Sequence, residues 1–275
     1  MPLYINTNVA SLESQRSLSN ASASLNTSFQ RLSSGMRINT AADDAAGLGI
    51  SESLKAQVRS LGVAERNSNN AISMSQTAEG ALGQVGNMLG RMREIAVQGA
   101  NGDLTATDRG YLNTEFTALR DEITRIADST KFNGKDLLSG ASTAVTFQVG
   151  INNTAADQIS VTFGGVDLTS LGINASTVDG ATATNAQASI TALDGAIGAV
   201  SSRRADFGAS MNRLTNTVSN LQSMKSNMSA ANSRIRDVDV AEESAALART
   251  QVLQQAAVSM LSQANQAPQL ALSLL

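Results

Sequence analysis

The side chains that could do chemistry in this sequence are carboxylates and guanidinium groups, because histidine and cysteine are both absent. Their absence excludes disulfides, Cys/His zinc sites, Ser-His-Asp and Cys-His nucleophiles, and the usual general base near neutral pH. Asp43 and Asp44 could be a metal or acid–base pair, but no other ligand cluster accompanies them. We interpret them as caps of a long helix, because the N-terminal helix dipole favours negative charge.

Two groups of charged residues could be taken for a phosphate site. They are Arg203-Arg204, and Arg234 and Arg236 beside Asp237 and Asp239. We favour flexible, charge-balanced joints between helical segments. We therefore predict no catalytic residue, no cofactor, no metal and no enzymatic activity.

Composition limits the partners and favours long helices. The net charge of −3 provides no positive field for nucleic acid or anionic lipid. No apolar run reaches the roughly 18 to 20 residues of a membrane span, and the N-terminus lacks the pattern of a cleaved secretory signal. Aromatic residues make up only 3%, so the apolar 42% consists mostly of aliphatic side chains typical of packed helices. Proline occurs only at Pro2 and Pro268, which leaves the chain between them free to be helical.

The first 138 residues have the period of helices. From Ile50 to Ala96 small and apolar residues recur at alternating spacings of four and three, which predicts one long coiled-coil-like helix on the order of 70 Å long. Asn101-Gly102 predicts a turn, and Thr105 with Asp108 resembles a capping box. The next helix should place these residues on one face: Leu112, Phe116, Leu119, Ile123 and Ile126.

A different composition marks residues 139–184, which are rich in Gly, Thr, Ser and Asn. Residues 145–149 and 159–163 alternate apolar and polar side chains, the period of half-buried strands. Helical spacing resumes at Phe207, and a second register begins after Asp239. We predict a mainly α fold with a small β-hairpin region, built as an antiparallel long-helix hairpin or coiled-coil rod. Residues 1–43 with 237–275 should form a terminal helical core, and residues 44–236 a helical domain carrying the insert.

Both ends of the chain lack charge. Arg249 is the last charged residue, and only Glu13 and Arg16 are charged among the first 30. Helices without a charged face are normally enclosed by protein. Two such helices cannot enclose each other, so we expect both ends to be loosely ordered alone and to fold on self-assembly; an ordinary intramolecular helix pair is the alternative. The candidate assembly residues are Ile5, Val9, Leu12, Leu18, Leu25, Phe29 and Leu32 at one end, and Leu253, Ala257, Met260, Leu261, Ala264, Leu270 and Leu274 at the other.

Several motifs resemble bacterial flagellins. Residues 32–39, Leu-Ser-Ser-Gly-Met-Arg-Ile-Asn, continue into Asp-Asp-Ala-Ala-Gly-Leu at 43–48. The C-terminal part contains Ser-Arg-Ile-Arg-Asp at 233–237 and Ala-Asn-Gln-Ala-Pro-Gln at 264–269. Arg66-Asn-Ser-Asn-Asn-Ala71, residues 91–98 and Phe-Asn-Gly-Lys at 132–135 fit the same family. The resemblance covers about residues 1–138 and 204–275.

The resemblance implies a structural subunit that polymerises into the extracellular filament of the flagellum. It implies export without a cleaved signal through the flagellar type III apparatus, and partners that include a flagellin chaperone, the filament cap and the hook-junction proteins. Because only about 45 residues lie in the β-like block, the large outer domains of longer members should be missing. The Ser/Thr-rich block could carry O-linked sugars or be bare loops.

The stretch with Arg91, Ile95 and Glu115 resembles the surface that a vertebrate Toll-like receptor senses in some flagellins, although Gly90 departs from the glutamine often found there. These residues could instead be solvated or inter-subunit charges. Two other functions are left open by the pattern: a hook–filament junction protein, with similar ends and a different middle, and a chemoreceptor-type signalling coiled coil. The glycine-rich β block argues against the latter.

Overall fold

The computed structural model describes the backbone of residues 7–272 and the side chains of residues 7–266. The helices are α1 (Val9–Ser34), α2 (Ala45–Gly99), α3 (Ala106–Ser129), α4 (Thr184–Arg236) and α5 (Val240–Leu272). The strands are β1 (Lys131–Phe132), β2 (Lys135–Asp136), β3 (Thr143–Gln148) and β4 (Gln158–Phe163), with a 3-10 turn at Ala155–Asp157. The prediction of a mainly α fold with a β-hairpin region is confirmed. Within the described residues no helix combines the length and hydropathy needed to cross a membrane.

Contacts divide the chain into two compact units. Unit 1 comprises residues 1–58 and 226–275, and unit 2 comprises residues 59–225. The long helices α2 and α4 each contribute to both units. The boundaries predicted from the sequence, 43/44 and 236/237, fall instead near the start of α2 and at the end of α4. That division stays a prediction.

A row of small and apolar residues along α2 forms the centre of unit 2. The row is buried throughout, at Leu61, Ala64, Ser68, Ala71, Ser75, Ala78, Leu82, Val85, Leu89, Met92 and Ala96. The hydroxyls of Ser68 and Ser75 donate to carbonyls one turn earlier, so their burial leaves no polar group unpaired. The alternating spacing predicted from the sequence is thus confirmed here. Its first member, Ile50, is 55% exposed, and the neighbouring Ser51 is buried instead.

Helix α4 runs antiparallel to α2 within unit 2. Three ion pairs mark this alignment: Arg93–Asp194 at 2.6 Å, Arg204–Glu79 at 2.8 Å and Lys225–Glu65 at 3.2 Å. The prediction that Arg203-Arg204 forms a flexible joint is wrong, because both residues lie in the middle of α4. No proline interrupts this segment, and Arg204 has a carboxylate partner on α2.

Helix α3 is fixed at its start by a capping box and by a buried arginine. The Thr105 hydroxyl accepts from the Asp108 N–H, and the Asp108 carboxylate accepts from the Thr105 N–H, as predicted. Arg109 is 3% exposed and donates to three main-chain carbonyls, those of Gly99, Asn101 and Ala181. The predicted face packs inward, with Phe116 and Ile123 buried.

The predicted hairpin is formed by β3 and β4, which pair antiparallel from Thr143–Phe163 to Gln148–Gln158. Phe163 contacts Phe207 of α4 with ring centroids 5.3 Å apart, which ties the hairpin to the helical core. The small β1–β2 hairpin was not predicted. Asn133 and Gly134 both have positive φ, 48° and 77°, the conformation of a two-residue hairpin turn.

Unit 1 contains an ordered joint between its helices. The Arg37 N–H donates to the Arg236 carbonyl at 2.6 Å, the Val238 N–H donates to the Gly35 carbonyl at 3.1 Å, and Met36 forms a β-bridge with Asp237. The Arg236 guanidinium pairs with Glu52 at 2.6 Å, and Asp239 accepts from two N–H groups at the start of α5. The predicted flexible joint around residues 234–239 is therefore an ordered one.

Only one of the two predicted helix-capping carboxylates caps α2. Asp44 accepts from the Gly47 N–H at 2.8 Å, as an N-cap should. Asp43 accepts instead from the N–H groups of Asn39 and Thr40 and from the Thr40 hydroxyl. The Thr40 backbone and hydroxyl hydrogen bonds, with that of Asn39, lower the pKa of Asp43. Asp43 thus orders the loop that precedes the helix.

Candidate assembly surface

The α1–α5 pair is held together mainly by small and polar side chains. Asn8 caps α1 by accepting from the Ser11 N–H, and its amide donates to the Ala264 carbonyl at 2.8 Å. The Ser11 hydroxyl donates to the Asn265 carboxamide oxygen at 2.8 Å, and the Gln254 amide reaches the Ser22 hydroxyl at 3.4 Å. These contacts give a structural role to three amides and two serines of the ends: Asn8, Gln254, Asn265, Ser11 and Ser22.

Little of this pair is enclosed by the chain itself. In the described parts of α1 and α5, Ser28 alone is fully buried. The larger apolar residues between the two helices are half-buried: Leu18, Leu25, Leu32, Leu247 and Leu261. Two helices with so few enclosed side chains gain little from the hydrophobic effect, which scales with the apolar area removed from water.

Large apolar residues cover the outside of the pair. Val9 and Leu12 of α1 are each 59% exposed, and Phe29 is 48% exposed. On α5 the first residue, Val240, is 60% exposed, and the exposed ones further along the helix are Val252, Leu253, Val258 and Met260, all more than half exposed. We call the three residues of α1 and the last four of α5, seven in all, the outer apolar surface. Few charged side chains flank it (Glu13 and Arg16 on α1, Arg249 on α5), and packing within the chain does not cover it.

The predicted assembly residues divide between these two environments. Those that lie between the helices are half-buried: Leu18, Leu25, Leu32, Ala257, Leu261 and Ala264. Those on the outside are exposed: Val9, Leu12, Phe29, Leu253 and Met260. The predicted α5 register placed Leu253 and Met260 in one seam with Ala257 and Ala264. That register is wrong, because Gln254 and Leu261 take the inner positions and Gln254 bonds to α1. Ile5 and the side chains of Leu270 and Leu274 are outside the described residues.

Val252 and Val258 are not among the predicted assembly residues, and both lie off the spacing predicted for α5. A count of apolar residues in an uncharged helix, without regard to register, would have found them.

Two buried polar atoms also distinguish unit 1. Among the described side chains, the Arg31 Nε and the Asn232 Oδ1 are buried without a hydrogen-bond partner, and both lie in this unit. Arg31 has its Nη1 3.7 Å from Glu243 of α5.

The second predicted surface lies in unit 2 on α2 and α3. Arg91 bridges Glu94 and Glu115, each at 2.9 Å, and all three side chains are about half exposed or more. The hydrogen bonds that Arg91 donates to Glu94 and then to Glu115 raise its pKa. Ile95 does not belong to this surface: it is 1% exposed and packs in the core of unit 2, because it lies on the inner side of α2 beside Met92 and Ala96.

Comparison with known proteins agrees with the motifs. Residues 5–143 match the model of the bacterial flagellin N-terminal helical region, and residues 190–275 match that of the C-terminal helical region. A flagellin of Halalkalibacterium halodurans is 44% identical over 99% of this chain and all of its own length. Flagellin C of Vibrio cholerae is 34% identical over the whole of both chains, in an alignment of 376 positions, so it contains residues that this chain lacks.

The fold is also found in a solved structure. A putative flagellar hook-associated protein from Vibrio parahaemolyticus is 18% identical, with a TM-score of 0.60 over 71% of this chain and all of that one. At this identity the likeness concerns the fold alone. The two matched regions together span most of the sequence and include both terminal helices, and so the chain belongs to the bacterial flagellin family.

Proposed function

We propose that this chain is the structural subunit of a bacterial flagellar filament and that copies join through the outer apolar surface of α1 and α5. Flagellins are structural proteins and not enzymes. The observation that carries the proposal is the exposure of seven large apolar side chains on a helix pair with few charged residues.

Covering this surface would add free energy that favours an ordered pair. Enclosing one Val, Leu, Phe or Met side chain stabilises by about 1.5 to 3 kcal/mol. The loss of backbone conformational entropy on ordering opposes this gain. Neighbouring copies supply contacts on several sides of each helix. Assembly and ordering of the ends are therefore coupled.

The predicted assembly residues take two roles in this proposal. Leu18, Leu25, Leu32, Ala257, Leu261 and Ala264 hold α1 against α5 within one copy. Val9, Leu12, Phe29, Leu253 and Met260 contact other copies, together with Val252 and Val258. Ile5, Leu270 and Leu274 stay candidate assembly residues outside the described side chains.

Membership of the family extends the proposal to further partners. The chain would leave the cell through the flagellar export apparatus with a flagellin chaperone. It would then join the filament outside the cell, between the hook-junction proteins and the cap. No step of this route requires a membrane span, a metal or a nucleic acid.

A second proposal concerns the exposed Arg91–Glu115 pair as a contact for a vertebrate Toll-like receptor or for a neighbouring copy. Both side chains are accessible and oriented by their mutual hydrogen bonds. A reporter-cell assay with purified monomer and with R91A separates the two partners. If the wild-type monomer gives no reporter signal, the receptor is excluded as a partner, and the contact between copies is the remaining proposal.

Electron microscopy of the concentrated, seeded protein tests the main proposal. A filament subunit elongates added filament fragments into long helical polymers. A hook–filament junction protein stays monomeric under the same conditions, and a signalling coiled coil forms no such polymer. Failure to elongate any seed would contradict the proposed function.

A further inference from the structure

Methionine is the readily oxidised side chain of this protein, because the chain contains neither cysteine nor tryptophan. The methionines differ widely in exposure. Met260 on α5 is 60% exposed and Met224 on α4 is 39% exposed, whereas Met74 is 5% exposed and Met92 is fully buried. Among the described methionines, Met260 is the one that a dissolved oxidant reaches most easily.

Met260 also lies at a sensitive position. It is two helical turns from Leu253 on the same flank of α5, and that flank is turned away from α1. The exposed Val252 and Val258 lie on the same stretch of helix. A polar group introduced at Met260 would therefore enter the outer apolar surface.

We propose that Met260 is an oxidation site through which peroxide blocks assembly of the free chain; this inference rests on the proposed function. Hydrogen peroxide transfers one oxygen atom to the thioether sulfur. The sulfur is oxidised by two electrons to the sulfoxide, and the peroxide is reduced to water. The new oxygen is a strong hydrogen-bond acceptor, and burial against an apolar surface leaves it without a donor.

The effect of peroxide depends on whether oxidation or assembly comes first. In the free chain Met260 is open to peroxide, and oxidation there precedes assembly. In the polymer a neighbouring copy covers Met260, so the same treatment leaves the sulfur reduced. Oxidation thus acts on subunits in solution and spares the finished filament.

The experiment measures the critical concentration for seeded polymerisation before and after the monomer is treated with hydrogen peroxide, and peptide mass spectrometry locates the sulfoxides. We expect Met260 to oxidise faster than Met74 and Met92, and the critical concentration to rise by at least about tenfold. Treatment with a methionine sulfoxide reductase and a dithiol should restore the original value. Filaments treated after assembly should keep Met260 reduced.

Two variants isolate the site by the ratio of treated to untreated critical concentrations. For M260L this ratio should be near one, whatever its own starting value, and for M224L it should equal that of the wild type. The proposal is overturned if the wild type with a mapped sulfoxide at Met260 polymerises as before, or if M260L shows the wild-type ratio. An untreated wild type that never polymerises contradicts the proposed function instead, and the oxidation site falls with it.

Discussion

Arg109 stands out among the individual residues because its guanidinium is buried without a carboxylate. Its Nε and Nη2 donate to the carbonyls of Gly99 and Asn101 at 3.0 Å, and its Nη1 donates to that of Ala181 at 3.3 Å. A cation at the C-terminal end of α2 is also favoured by the helix dipole. Arg109 thereby joins the end of α2, the following turn and the segment that leads into α4.

Replacing this side chain should destabilise unit 2. R109M leaves three carbonyls without their donors, so we expect the free energy of unfolding to fall by about 3 kcal/mol. R109K keeps the charge but lacks the planar guanidinium, so its free energy of unfolding should lie between those of R109M and the wild type. Urea unfolding followed by circular dichroism measures the effect. R125M, which removes an exposed intrahelical ion pair, is the matched control and should change stability by less than about 1 kcal/mol.

Asp108 gives the capping box a dependence on pH. The Thr105 hydroxyl and then the Thr105 N–H donate to its carboxylate, and these hydrogen bonds lower the pKa of Asp108 in the folded chain. A lowered folded-state pKa means that this stabilisation is fully present above the unfolded pKa, about 4. It is lost as the pH falls through the folded-state value.

D108N should therefore reduce the acid sensitivity of the protein. We expect the melting temperature of the wild type to fall more steeply than that of D108N as the pH is lowered from about 5 to 2. D121N, on the exposed face of the same helix, should follow the wild-type curve. Parallel curves for D108N and the wild type would show that the capping carboxylate contributes nothing.

At the scale of elements, α5 presents an inner flank to α1 and an outer flank to its surroundings. The inner flank contains Gln254, Ala257 and Leu261, whereas the outer one contains Leu253 and Met260. Because the outer residues make no enclosing contact in the single chain, replacing them should leave the monomer unchanged and affect assembly alone.

L253Q tests this separation of roles. Glutamine preserves the length and much of the helix propensity of leucine, so the circular dichroism of the monomer should match that of the wild type. The critical concentration should rise by at least about tenfold because a buried amide lacks partners. Q255A, another exposed position on α5, should change it little. An unchanged critical concentration for L253Q would remove the outer flank from the assembly surface.

The sequence predicted the helices and the main hairpin well because their signals are local. The alternating spacing of α2 from Leu61 to Ala96, the Thr105–Asp108 capping box and the alternation in β3 and β4 are all found in the structure. The errors concern which partner a side chain meets. Ile95 packs in the core, although the resemblance placed it on a surface. Arg203 and Arg204 lie within α4, and the partner of Arg204, Glu79 of α2, is too distant in the sequence for a local pattern to reveal it.

The α5 register was mispredicted for a related reason. Ala, Gln, Leu and Met alternate there without charged residues to mark a solvent face, so spacing alone does not distinguish the inner flank from the outer one. The hydrogen bond from Gln254 to Ser22 shows which flank faces α1, and no local pattern reveals it.

At the scale of the whole molecule, the two units differ in how completely they are enclosed. Unit 2 contains a continuous apolar core that extends from α2 to the hairpin and α4. In unit 1 the α1–α5 pair is nearly devoid of enclosed apolar side chains in its described part. We therefore expect limited proteolysis of the monomer to trim both ends and leave a fragment that retains residues 59–225.

The polymer should resist the same protease at both ends, since neighbouring copies order and cover them. Mass spectrometry of the fragments from monomer and polymer, digested side by side, measures the difference. Ends that survive intact in the dilute monomer would indicate a self-sufficient helix pair.

The absence of cysteine permits the most direct measurement of whether other copies cover the outer apolar surface. The L253C and M260C variants are reacted with a maleimide as monomers and as assembled polymers, and S170C, in an exposed loop of unit 2, serves as the control. The account predicts rapid labelling of L253C and M260C as monomers and strong protection in the polymer, with S170C labelled in both. Equal labelling of L253C and M260C in monomer and polymer would contradict it.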